Sequence, residues 1–151
     1  MLTIPYFQQE KDYWCGPASL QMAFAFFGKS ASQTELVAAA GTTEEKGTDN
    51  DKLVKVAQAA GFRVSTKELA ALEDIQSYLT QNIPVIVNFI EPTDEEGHYA
   101  VVVDINDKDI ILNDPWNGPN FSIPKADFVN RWHSTNNQHI RWLMAVSREQ
   151  P

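Results

Sequence analysis

Residues 84–104, PVIVNFIEPTDEEGHYAVVVD, divide the chain into two kinds of pattern. Val85 to Ile90 is a short, β-branched, largely apolar run, and Tyr99 to Asp104 is a second. Runs of that length and composition predict buried strands. Asp109 to Asn113 makes a third, joined to the second by the turn-rich Asn106-Asp107-Lys108. A short helix is expected around Lys125 to Trp132, and a last strand over Ile140 to Ser147.

Upstream of Pro84 the period lengthens to that of a helix. Residues 16–28 carry Leu20, Met22, Ala23, Phe24, Phe26 and Phe27, apolar nearly all round, which predicts a buried central helix stopped by Gly28. Ser32 predicts the cap of a second helix, with Glu35 completing a capping box and Gly41 as its end. Thr48 predicts the cap of a third helix, running through Leu53, Val54, Val56 and Ala57 to Gly61. Phe62 to Thr66 alternates as a short strand, and Leu72, Ile75, Tyr78 and Leu79 form a fourth helical stripe. Helices fill the first half and strands the second, without βαβ alternation. The expected class is therefore α+β with an antiparallel sheet. No repeat or linker interrupts it, so residues 1–151 are taken as one domain.

A chain of 151 residues, 43% of them apolar, is long enough for one real core. Its formal charge of −8 repels phosphate backbones, which argues against a nucleic-acid partner. Met1-Leu2-Thr3-Ile4-Pro5 has neither a basic nor an apolar signal region, and the apolar run Ala23 to Phe27 is too short to cross a bilayer. A cytoplasmic location is the resulting expectation. A single cysteine rules out an internal disulfide.

That cysteine lies in QQEKDYWCGPAS, residues 8–19. Pro17 belongs in the first turn of a helix, where its missing N–H costs nothing. It thereby puts Cys15 at the mouth of the buried helix, among free N–H groups and at the positive end of the dipole. Both favour a thiolate over a thiol, which leaves Cys15 as either a nucleophile or a small buried core residue. Gly16 is expected to leave room for a substrate backbone. A thiolate needs a base, and three histidines are available. His133 and His139 lie in a polar segment and look like surface residues. His98 opens a buried strand, either as an edge histidine or as the base. If the strands on either side of residues 106–108 form a hairpin, Asp114 falls beside His98, as an orienting carboxylate, a turn opener, or both.

Together, Gln-x5-Cys-Gly-Pro-Ala-Ser, then Gly-His-Tyr-Ala-Val-Val-Val, then Asn-Asp-Pro resemble the bacteriocin-processing cysteine peptidases, family thirty-nine, and their free-standing relatives. Gly47-Thr48 and the segment Leu53 to Phe62 are similar to that family's middle section. The resemblance implies a papain-like α+β fold and a cysteine peptidase acting on a peptide or protein substrate without a cofactor or metal. By motif position it implies Cys15 as nucleophile, His98 as general base and acid, Asp114 as orienter of His98, and Gln9 as oxyanion donor beside the Cys15 N–H. Leader-cutting members are usually fused to an ATP-driven transporter, and this chain carries no transmembrane span or Gly-rich nucleotide-binding motif. Acyl transfer or deamidation on the same machinery, and a non-catalytic peptide-binding module, are the competing functions. A metal site built from Cys15, His98 and Asp114 lacks the paired spacing usual for zinc.

Overall fold

The computed structural model describes residues 1–148. Five helices and one six-stranded sheet follow in the order α1 (Cys15–Phe26), α2 (Gln33–Ala40), α3 (Asn50–Ala59), β1 (Phe62–Lys67), α4 (Leu72–Thr80), β2 (Val85–Ile90), β3 (Gly97–Ile105), β4 (Asp109–Asp114), β5 (Gly118–Pro124), α5 (Lys125–Arg131) and β6 (Leu143–Arg148). The strands stand in the order β1-β6-β2-β3-β4-β5, every pair antiparallel. The α+β expectation holds.

α1 is the buried helix its composition demands, with Gly16 to Leu20 and Met22 to Phe24 out of solvent, and it packs along β3. Pro17 sits in its first turn, so the helix opens at Cys15. Ser32 Oγ accepts the Glu35 N–H (3.1 Å), and Gly41 closes α2 with φ 66°, a conformation that costs glycine little. β2, β3 and β4 are buried along nearly their whole length because helices cover them: α4 lies on β2 and β3, and α5 on β2, β4 and β5.

The structure departs from the sequence expectations at four places. α3 starts after Asp49 and has no side-chain cap, so Thr48 is not its cap. Thr48 Oγ1 instead bonds Thr42 Oγ1 (2.7 Å), and its carbonyl accepts the Tyr99 hydroxyl (2.8 Å). β6 begins at Leu143 rather than Ile140, because Arg141 has φ 48° and its N–H turns back to the Trp132 carbonyl (2.8 Å). β5 is a strand the sequence pattern did not announce, on the sheet edge and largely exposed. Finally, Gly16 does not open space for a substrate. A Cβ there would lie 3.1 Å from Thr48 Oγ1 and 3.2 Å from Leu53 Cδ2, so the glycine lets α1 approach the start of α3.

A tighter approach occurs at Gly97, where a Cβ would come within 1.9 Å of Thr135 Oγ1. This glycine lets the 133–140 loop lie across the start of β3. Gly97→Ala is therefore expected to destabilise the fold by about 1–3 kcal/mol, the usual scale of overpacking. Thr135→Ala in the same background should restore most of the loss. Urea unfolding of the two variants checks this, and absence of rescue would mean that Thr135 is not the obstacle.

Candidate active site

The β3–β4 hairpin turns over residues 106–108, where Asn106 N–H donates to the Asp109 carbonyl (3.0 Å) and Asn106 Oδ1 accepts from Lys108 N (2.9 Å). Its register pairs Val101 with Asn113 and Val102 with Leu112, with a bulge between Val102 and Asp104. Residues 98 and 114 are thus diagonal neighbours, within reach of each other. His98 Nε2 and Asp114 Oδ1 lie 2.6 Å apart, with Asp114 fully buried and His98 nearly so.

Asp114 also opens a turn. Its Oδ1 accepts from the backbone N–H of Trp116 (2.8 Å) and Asn117 (3.0 Å), and Oδ2 accepts from Asn117 Nδ2 (3.2 Å). One carboxylate thus both meets His98 and opens the turn. Burial pushes its pKa up, but the bond and charge of His98 and the two backbone donors outweigh burial and hold it below 3.8.

With Nε2 committed to Asp114, His98 has Nδ1 left for Cys15. Burial alone would depress the His98 pKa. The charge of Cys15 and the bonds to Asp114 and Cys15 overcome it and raise the imidazole from 6.5 to about 10. An imidazolium held against a buried carboxylate behaves in this way. Cys15 is half-buried, and its first-turn N–H groups have no partner within α1. The other two histidines are occupied elsewhere: His133 Nδ1 donates to the Ser134 carbonyl (2.9 Å), and His139 Nδ1 lies 2.6 Å from Glu68 Oε1.

Cys15 and His98 lie in a surface groove with two limbs of about 590 and 600 Å³, which share Cys15, Lys46, Gly47, Gly97, His98 and Thr135. This size suits a peptide-sized or drug-sized ligand. Gln9 lines the first limb and is 8% exposed. Its N–H is anchored to the Pro115 carbonyl (3.0 Å), one residue past Asp114. Both hydrogens of its amide are used within its own loop, on the carbonyls of Lys11 (2.9 Å) and Asp12 (2.8 Å), while Oε1 is buried without a partner.

Several supporting residues escaped the sequence reading. The Tyr6 hydroxyl donates to the Asp114 carbonyl (2.7 Å), and Asn113 Nδ2 donates to the Ile4 carbonyl (2.9 Å). Glu91, buried, accepts from Thr93, from Asp94 N–H (2.6 Å) and from the same Asn117 amide that holds Asp114 (3.2 Å). Only the Asp-Pro-Trp-Asn turn spacing gave any local sign of Asn117.

Similar chains share this fold. The peptidase domain of Streptococcus ComA, a bifunctional ABC transporter of a quorum-sensing pathway, aligns with a TM-score of 0.78 at 21% identity over 99% of this chain and all of that one. A double glycine motif protease from an AMS/PCAT transporter, solved with its leader peptide, aligns at 0.78 and 18% identity over 98% and 94%. A C39-like chain from Bacillus anthracis aligns at 0.76 and 14% identity over 99% and 98%. An uncharacterized protein of Methanothermobacter marburgensis is 31% identical over 108 residues, 72% of this chain and 69% of that one. The model of the Peptidase_C39 like family matches residues 1–140, and the chain belongs to that family.

Proposed function

We propose that the protein is a cysteine peptidase that hydrolyses peptide bonds through an acyl-enzyme on Cys15, with His98 as general base and acid and Asp114 as its orienter. The observation that carries this reading is the buried 2.6 Å pair of His98 Nε2 and Asp114 Oδ1, which leaves the other ring nitrogen for a cysteine at a helix N-terminus. The leader peptide bound to the double glycine motif protease of similar fold supports a peptide substrate in this groove.

The reaction runs through an acylation and a deacylation. The Cys15 thiolate attacks the substrate carbonyl carbon, an S–C bond forms, and the carbonyl electron pair moves to oxygen. Collapse breaks the C–N bond as the His98 Nδ1 proton passes to the leaving amine. Neutral His98 then takes a proton from water, whose oxygen attacks the acyl carbon and expels the thiolate. Asp114 keeps Nε2–H bonded throughout, so Nδ1 always faces the reaction. The Cys15 N–H supplies one oxyanion donor at the helix mouth. Gln9 supplies the second by releasing either the Lys11 or the Asp12 carbonyl, both of which lie beside solvent.

Cys15→Ala should lower turnover by more than about 10³-fold with stability changed by less than about 1 kcal/mol. In the wild type, iodoacetamide should label Cys15, and His98→Ala should slow that labelling. Mass spectrometry of the labelled chain and of the cleavage products reads both. A product bearing an amine acceptor in place of water would convert the reading to acyl transfer.

The pH limits follow from the two shifts. The contribution of His98, raised from 6.5 to about 10, is fully present below about pH 6.5 and is lost as pH rises through about 10. That of Asp114 is present above 3.8 and is lost as pH falls through its lowered value. Asp114→Asn should keep a measurable share of activity, since one amide oxygen can still accept from His98 and both turn N–H groups. Its alkaline limit in kcat/KM should fall below pH 10, because the anion beside His98 is gone. Asp114→Ala loses the turn as well and should be slower still. Equal rates for the two variants would mean that orientation is not what Asp114 contributes.

Gln9→Ala should lower kcat by roughly 10²- to 10³-fold with little change in KM, the usual effect of deleting one oxyanion donor. Gln8→Ala, at an exposed neighbour, should be nearly silent. If Gln9→Ala lowers Tm while kcat holds, Gln9 is a clamp for the 9–12 loop and not a donor.

A further inference from the structure

The limb of the groove lined by Gln9 and Trp116 is walled by carboxylates. Seven of the protein's 20 acidic residues line it, against one of its 12 lysines and arginines, Lys46. Two of the seven have work elsewhere: Glu95 pairs with Arg131 (2.7 Å), and Glu91 is the buried acceptor described above. Asp12, Glu44, Glu45 and Glu96 are exposed and form no ion pair among the described residues. Crowding like charges around one recess costs stability in the free protein and focuses a negative field into it.

The second observation is an aromatic one. Trp116 is 43% exposed at the same limb, yet it is held in place: its Nε1 donates to Asp94 Oδ2 (3.0 Å) and its backbone N–H to Asp114 Oδ1 (2.8 Å). A fixed, exposed indole among carboxylates is the surface that a guanidinium or ammonium group prefers. Gln9 lines this limb too, nine-tenths buried, with its unpartnered Oε1.

We propose that this limb selects substrates, binding a Lys- or Arg-bearing segment of the peptide next to the scissile bond against the Trp116 indole and the carboxylates of Asp12, Glu44, Glu45 and Glu96. The proposal rests on the peptidase reading and names its substrate class. The other limb carries Lys52 and Lys55 along with Asp49 and Asp51, so the charge preference belongs to one side of Cys15 only.

The test uses two fluorescein-labelled peptides of equal length, one with Arg and Lys at neighbouring positions and one with Ser in their place. Binding is measured to Cys15→Ala and cleavage by the wild type. The cationic peptide should bind at least about tenfold more tightly at low salt, with the advantage shrinking at physiological ionic strength, where screening acts over about 8 Å. Glu44→Gln combined with Glu45→Gln should lower the cationic-to-neutral ratio of kcat/KM about threefold to tenfold, the scale of one or two exposed charge pairs. Trp116→Ala should lower the same ratio. Equal binding of the two peptides overturns the proposal, while their cleavage by the wild type still upholds the peptidase reading. Tight cationic binding without any cleavage overturns the peptidase reading and upholds the cation-selecting limb. An unchanged ratio in both the double variant and Trp116→Ala, each folded by circular dichroism, overturns the assignment of these residues.

Discussion

A carboxylate with no accessible surface must be met by donors on every side or it will take up a proton, and Asp114 meets that demand with His98, two backbone N–H groups and the Asn117 amide. The backbone donors come from the turn that Asp114 itself begins, so its geometry fixes the turn and the turn fixes its geometry. Among its partners only His98 can carry charge. The ionised state of Asp114 thus holds the imidazole protonated, and the protonated imidazole is the counter-charge offered to Cys15. Cys15, His98 and Asp114 form one electrostatic unit whose least movable member is the aspartate.

The segment before α1 is fastened to the same unit. Leu2 N–H donates to the Val103 carbonyl (2.9 Å), Asn113 reaches Ile4, Tyr6 reaches the Asp114 carbonyl, and Gln9 N–H donates to the Pro115 carbonyl (3.0 Å). Residues 2–9 therefore run beside β3 and β4 and deliver Gln9 to the groove. Opposite them, Thr48 accepts from the Tyr99 hydroxyl, which also bonds Asn50, and so ties the helical side of the groove to β3 one residue from His98. Hydrogen bonds thus tie residues 2–9 to β3 and β4 on one side, and Thr48 to β3 on the other.

Much of this was legible in the sequence, for identifiable reasons. Apolar periodicity located α1, β2, β3 and β4, because buried elements have little freedom in composition. Pro17 placed Cys15 at a helix mouth, and hairpin register put Asp114 near His98. Elements governed by solvent or by distant contacts were not legible. β5 is an exposed edge strand with no apolar alternation to mark it. The late start of β6 depends on the left-handed backbone of Arg141, which no propensity predicts. Gly16 invited a substrate-facing explanation, but the space it leaves is filled from α3, which only the tertiary structure reveals. The same holds for the acidic limb: its carboxylates come from three separate stretches of chain, and their convergence is a property of the fold.

The strand order has a further consequence, in the timing of assembly. β6, the last of the described elements, lies in the interior of the sheet between β1 and β2, which share no ladder of their own. A ribosome-bound chain that stops short of residue 143 therefore has β1 detached from the rest of the sheet, and β2 has one open edge. Synthesis reaches Cys15 well before His98 and Asp114, and the sheet that carries them is joined up only by β6. Until β6 is made, His98 and Asp114 therefore stand on an incomplete sheet. Loops of this length must close before any ladder bond rewards them, so that last step is also expected to be the slow one.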